Sequence, residues 1–258
     1  MEKPIQKIIS ALLSILFCVT TGNTLSAADA KSWYCKRQKD HLRPTVEQDM
    51  AYVEDYGGVY LGPEEKVVYL TFDAGYENGN VARILDTLKK HGVQGAFFIL
   101  ENLVTRDTAL VRRMAEEGHL VCNHTARHKD MTAITPEEIA REIHTLEEVY
   151  REKTGCELAR FFRPPEGKFS EESMRAVQEL GYTTVFWSLA YADWDNAKQP
   201  SADYAKRLLT ENLHDGAILL LHPTSKTNAD ILDELITAWK AEGYRFGSLT
   251  ELVGEACE

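Results

Sequence analysis

The stretch VVYLTFDAGYENGNVARILDTLKKHGVQGAFFIL, residues 67–100, decides the fold. It opens on VVYLTF, an apolar run without alternation, as a strand buried on both faces requires. A helix is predicted over residues 80–91, with Gly92 as its stop, and VQGAFFIL follows as a second buried strand. Strand, helix, strand at this spacing is a βα unit, which pairs its strands in parallel.

Outward from this unit the pattern repeats. Helices are predicted from Asp107 to a stop at Gly118, from Thr135 to Gly155, and over about 170–180, 202–213 and 228–241. The helix after Thr135 has the clearest signature: Thr135 and Glu138 have capping-box spacing, Pro136 suits the first helical position, and Ile139, Ile143, Leu146 and Tyr150 make one apolar face. HLVCN, FFRP, TTVFWSL, AILLL and a short YRFGS alternate with the helices, so seven strand-like runs are present. The predicted fold class is α/β, a distorted (β/α) barrel with about seven parallel strands. Residues 67–253 form its body, and 29–66 are a less regular wrap in which Trp33, Tyr34, Tyr52, Tyr56 and Tyr60 serve packing or sugar stacking.

With 258 residues, 44% hydrophobic and 27% charged, the chain suits one domain of barrel size. A net charge of −11 argues against a nucleic-acid partner, which needs a basic face. Residues 1–28 read as a signal peptide, with Lys3 and Lys7 ahead of an apolar run over 8–19 and small residues Ser26, Ala27 and Ala28 at the cleavage position. The alternative is an uncleaved anchor, although the run is shorter than the roughly 18 to 20 residues that span a bilayer. Either way the expectation is an extracytoplasmic bacterial protein, secreted or cell-wall associated, with no stable membrane span after cleavage, and a monomer. Beyond the signal lie Cys35, Cys122, Cys156 and Cys257; Cys35 and Cys257, near opposite termini, are candidates for a disulfide, while Cys122 reads as a buried small side chain.

In a β/α barrel the carboxyl ends of the strands converge on one mouth. In this chain five apolar runs stop at an ionisable residue: Asp73, His124, Arg163, Asp193 and His222. Asp73, with Gly75 and Gly79 behind it, suits a general base or a ligand, or alternatively ordinary turn chemistry. His124 and His128, four apart, suit a shared cation across a helical turn or in a loop that curls back, or else two solvated imidazoles. Arg163 can hold a carboxylate in a fixed fork. His222 after three leucines suits an acid or a buried structural histidine. His41, His91, His119, His144 and His214 lack such company and are read as surface or capping residues.

In order, TFD with a following glycine, HTxxH, RPPxG, DW and LLLH resemble the motifs of the polysaccharide deacetylases, the NodB-homology carbohydrate esterases, over nearly the whole chain from Val67 to Val253. TFDAGYENGN and VFWSLAYADW are most similar to the branch that removes acetyl from N-acetylmuramic acid of peptidoglycan on the way to muramic δ-lactam in spore cortex. The resemblance implies Asp73 as base, His222 as acid, Arg163 beside Asp73, Asp193 beside His222, and His124 with His128 as ligands of a divalent metal, zinc foremost. It also implies peptidoglycan glycan strands as partner. Three positions depart from the family pattern. Ala74 replaces an aspartate that commonly ligates the metal, which predicts a weakened site on two histidines, or one to which Asp73 turns, or catalysis by Asp73, Arg163 and His222 with little metal; Ala190 replaces the first aspartate of DxxDW; and Glu166 stands where an aromatic is frequent. Arg127, Lys129 and Lys168 are nearby cations, for a muramic carboxylate or for solvent. Alternatives of another kind are an N-acetylglucosamine deacetylase of peptidoglycan or chitin-like oligomers, and a non-catalytic wall-binding homologue.

Overall fold

The computed structural model describes residues 30–254. The signal segment, Cys18 and Cys257 lie outside the described residues, so the Cys35–Cys257 pairing does too; among the described residues Cys35, Cys122 and Cys156 form no disulfide with one another, and Cys122 is fully buried as expected.

In chain order the elements are β1 (Lys31–Ser32), a 3-10 helix (Gln48–Tyr56), β2 (Val67–Ala74), α1 (Asn80–His91), β3 (Ala96–Ile99), α2 (Glu101–Arg106), α3 (Thr108–Glu116), β4 (Leu120–Asn123), α4 (Pro136–Thr154), β5 (Ala159–Phe162), a 3-10 turn (Pro165–Gly167), β6 (Lys168–Phe169), α5 (Glu171–Glu179), β7 (Thr183–Thr184), α6 (Ala202–Asn212), β8 (Ala217–Leu221), α7 (Lys226–Ala241), β9 (Arg245–Phe246) and α8 (Leu249–Val253). Seven of the strands form one sheet in the order β7-β5-β4-β3-β2-β8, with β9 also on β2, and every pair is parallel. These are the seven runs read from the sequence.

Alternation along β2 divides the core. Val67 and Tyr69 face inward with Phe98, Cys122, Phe161 and Ile218, whereas Val68, Leu70, Phe72 and Ala74 face outward and pack with Val81, Ile84, Leu85 and Trp239 of the helical layer. Register then lines up the strand ends: Asp73 lies opposite Phe98, Asn123 opposite Ile99 and Phe162, and Phe72 opposite Leu221. The residues just past these ends, His124, Arg163 and His222, therefore share a rim with Asp73.

The barrel is distorted where TTVFWSL was expected to be one strand. Only Thr183 and Thr184 pair with β5; the next residues cross the seam by single bridges, Val185 to Val59 and Leu189 to Leu219. The N-terminal segment is built into this seam, with Phe186 N donating to Val59 O at 2.8 Å and Gly62 N to Gly216 O at 2.7 Å. A Cβ at Gly216, whose φ is 72°, would meet Pro63 O at 2.4 Å, so only glycine allows that approach. Upstream, β1 pairs antiparallel with β6, and Trp33 stacks on Phe186 at 4.4 Å while its Nε1 donates to Trp187 O at 2.9 Å.

The α4 capping box forms as read, with Glu138 N on Thr135 Oγ1 and Thr135 N on Glu138 Oε2. Two expectations change. The helix from Asp107 is preceded by a separate α2, and Asp107 joins the two with a non-helical φ of −130° and no side-chain cap bond. His119 and His214, read as surface or capping residues, are buried: His119 Nδ1 accepts from the backbone N of Gly95 at 3.1 Å, and His214 bridges Asn212 O, 2.9 Å from its Nδ1, and Ser188 Oγ, 2.9 Å from its Nε2.

Candidate active site

The rim opens on a cleft of about 770 Å³ that Asp73, His124, His128 and His222 all line. Arg163 and Asp193, 0% and 1% exposed, stand behind them in the wall.

Arg163 is tied to the distorted seam. Because the sheet lapses after Thr184, the carbonyls of Val185 and Phe186 are free to accept its Nε at 2.9 Å and its Nη2 at 3.2 Å. The same Nη2 donates to Thr71 Oγ1 at 2.8 Å, and Nη1 donates to Asp73 Oδ1 at 2.8 Å. The guanidinium lies 4.2 Å from the centre of the Phe98 ring. The fork read from the sequence is thus one bond to Asp73, and the other donors fasten the arginine to backbone and Thr71. Burial opposes ionisation of Asp73, but the Arg163 guanidinium beside it, with His222 farther off, holds its carboxyl below the usual range.

HTARH is a curled loop, not a helical turn. Thr125 and His128 both have positive φ, 73° and 56°; Thr125 N donates to Asn123 Oδ1 at 2.8 Å and His128 N to Thr125 Oγ1 at 2.9 Å. These conformations are costly for side-chain-bearing residues and persist where the surroundings impose them. Here they set the two imidazoles edge to face with centres 5.0 Å apart. His124 Nδ1 is 2.8 Å from Arg163 O, which can only accept, so Nδ1 carries the hydrogen and Nε2 a lone pair. Burial, the largest influence, pushes the ring down to about 4 against the charge of Asp73.

On the opposite wall His222 Nδ1 meets Asp193 Oδ1 at 2.7 Å, and Asp193 Oδ2 accepts from His222 N at 2.8 Å and Asn228 Nδ2 at 2.6 Å. Burial alone would lower the proton affinity of His222; the hydrogen bond and charge of Asp193, with Asp73 farther off, raise it above the usual histidine value. Nε2 is left for the cleft. Sequence reading missed Asn228, a buried residue in the first turn of α7, and Tyr191, whose hydroxyl donates to Asn228 Oδ1. Their only signal was a polar residue at a helix start and a tyrosine within an apolar run. Arg127, Lys129 and Lys168 pair with carboxylates: the first two with Glu142 at 3.7 and 3.2 Å, the third with Asp130 and Glu166. Glu166, with φ 56°, lies at the cleft edge.

Residues 61–185 match the family described as Polysaccharide deacetylase. Over 226 residues, 87% of this chain and 86% of the relative, the sequence is 41% identical to the peptidoglycan-N-acetylmuramic acid deacetylase PdaA of Bacillus subtilis (strain 168). The chain belongs to the polysaccharide deacetylase family. The solved structure of Bacillus subtilis PdaA, a family 4 carbohydrate esterase, superposes with a TM-score of 0.85 at 40% identity, covering 88% of this chain and 98% of that one. A peptidoglycan-N-acetylglucosamine deacetylase of Bacillus cereus is 32% identical over 207 residues, 78% of this chain and 74% of the relative. As a polysaccharide deacetylase the protein is a hydrolase of the acetamide carbon–nitrogen bond, with the half-barrel of parallel strands typical of that family.

Polysaccharide deacetylases are generally metal-dependent, and the donor set here fits a cation in part. The His124 Nε2 lone pair faces Asp73 Oδ2 at 3.6 Å with no hydrogen between them, an arrangement that repels unless a cation or water intervenes. Among the described residues no cluster of three or more metal-ligating side chains is present; Ala74 offers only a methyl group, packed outward with the helical layer. Purified apoprotein is expected to take up one zinc through His124 and His128, more weakly than a site with three protein ligands, and either histidine-to-alanine change should abolish uptake. Elemental analysis after dialysis against zinc and buffer checks this; equal zinc in wild type and both variants would place the metal elsewhere.

Proposed function

We propose that this deacetylase removes the acetyl group of N-acetylmuramic acid in peptidoglycan, on the route to the δ-lactam of spore cortex, and that it works outside the cytoplasm at the cell wall. The observation that carries the reading is the pairing of an ionised Asp73 with a proton-rich His222 across one cleft, in a chain similar along most of its length to an N-acetylmuramic acid deacetylase.

Asp73 Oδ2, left without a hydrogen-bond donor while Oδ1 is held by Arg163, takes a proton from water as it attacks the acetamide carbon. His222 Nε2 gives a proton to the nitrogen as the carbon–nitrogen bond breaks, so acetate and a free amine result. Asp193 orients His222 and stabilises its charged form, and Arg163 keeps Asp73 ionised. A divalent cation held by His124 and His128 would supply Lewis acidity to the acetamide oxygen. Exposed Trp194 and Tyr34 offer apolar faces to sugar rings at the cleft. On muramic acid freed of its peptide the new amine stands beside the lactyl carboxyl of the same sugar, so lactam closure is intramolecular and favoured by proximity.

Mass spectrometry of defined glycan oligomers treated with purified protein tests the reading. Loss of one acetyl from muramic residues is expected. Loss confined to N-acetylglucosamine would replace the substrate with that sugar, and glycan binding without any acetate release would make the protein a binding homologue.

A further inference from the structure

We propose that Arg37 is a specificity-determining residue that binds the free lactyl carboxylate of the muramic substrate, which rests on the muramic reading above. Arg37 lies on the N-terminal segment, outside residues 61–185 that the family shares, yet it lines the same cleft as Asp73 and His222. Its backbone is anchored by the bridge from Lys36 to Thr45, and its Nη1 donates to Ala190 O at 3.0 Å, which fixes the guanidinium to the cleft wall. Among the described residues it has no carboxylate partner, and its other nitrogens are free.

The other cations near the cleft are engaged. Arg163 is fully buried and bound to Asp73, Thr71 and two carbonyls; Arg127 and Lys129 pair with Glu142; Lys168 pairs with Glu166 and Asp130. The side chain at 190, on whose carbonyl Arg37 rests, is a methyl group and brings no charge to neutralise it. An anionic sugar entering this cleft meets the negative charge of Asp73, so a fixed, unpaired guanidinium in the wall is what admits it. A planar fork with spare donors suits a carboxylate in particular. Muramic residues whose lactyl group is still amidated to peptide, and glucosamine, which has no lactyl group, forgo this contact.

The test is a ratio of kcat/KM for two glycan oligomers that differ only in the lactyl group, one a free acid and one its methylamide, measured with wild type, Arg37→Ala and Arg37→Lys. Wild type should prefer the free acid. Arg37→Ala should collapse the ratio by roughly 10- to 100-fold, the scale of one hydrogen-bonded charge pair, mainly through KM, and Arg37→Lys should retain part of it. A ratio that Arg37→Ala leaves unchanged overturns the assignment while the muramic reading stands. Wild type that deacetylates neither oligomer, or only N-acetylglucosamine, overturns both.

Discussion

Asp73→Asn is expected to lower acetate release by roughly 10²- to 10⁴-fold, the contribution of a positioned general base, with KM little changed. Asparagine keeps the oxygen that accepts from Arg163 and loses the ability to take a proton. The same change leaves the guanidinium of Arg163 buried without its counter-charge, and loss of one partner of a buried pair costs about 3–5 kcal/mol; the retained acceptor puts this case at the low end. Adding Arg163→Met removes the stranded charge and should recover much of the stability without any activity. Chemical denaturation and acetate assays on both variants separate the two roles. An Asp73→Asn enzyme within a few-fold of wild type would show that the proton from water goes elsewhere.

The second large effect concerns the acid. His222→Ala should cost roughly 10²- to 10⁴-fold in kcat, and Asp193→Asn should act through His222. His222 must be protonated to serve the leaving amine, so activity is present below its raised pKa and is lost as pH rises through it. Asp73 must be ionised, so activity is lost as pH falls through its lowered pKa. The profile of kcat/KM is therefore a bell whose two limbs are pushed apart by the pairings of Arg163 with Asp73 and Asp193 with His222. Asp193→Asn withdraws the charge that offsets burial of His222, and its amide replaces one of two oxygens that accept three hydrogens. The alkaline limb should move to lower pH while the acid limb stays in place. An unmoved alkaline limb would exclude His222 as the titrating acid.

Much of this was legible in the chain. Unalternating apolar runs separated by helices meant parallel strands covered on both faces, because βα crossovers bury such strands. Since parallel strands all end at one rim, an ionisable residue at the end of four of the runs was enough to gather Asp73, His124, Arg163 and His222. The capping box at Thr135 was legible because it is local chemistry between residues three apart.

What the sequence determined by itself was the order of the main strands and helices, the family, and which ionisable side chains follow the strands, all of which depend on local period or on short motifs. Only the tertiary structure decided that the seam opens after Thr184 and hands two carbonyls to Arg163, that HTARH curls through left-handed residues, that Asn228 and Tyr191 brace Asp193, and that Arg37 reaches the cleft while Arg127, Lys129 and Lys168 are neutralised. Apart from the HTARH curl, each of these joins residues distant in the chain, and such contacts are set by register, closure and competition among charges for partners, which no local pattern encodes.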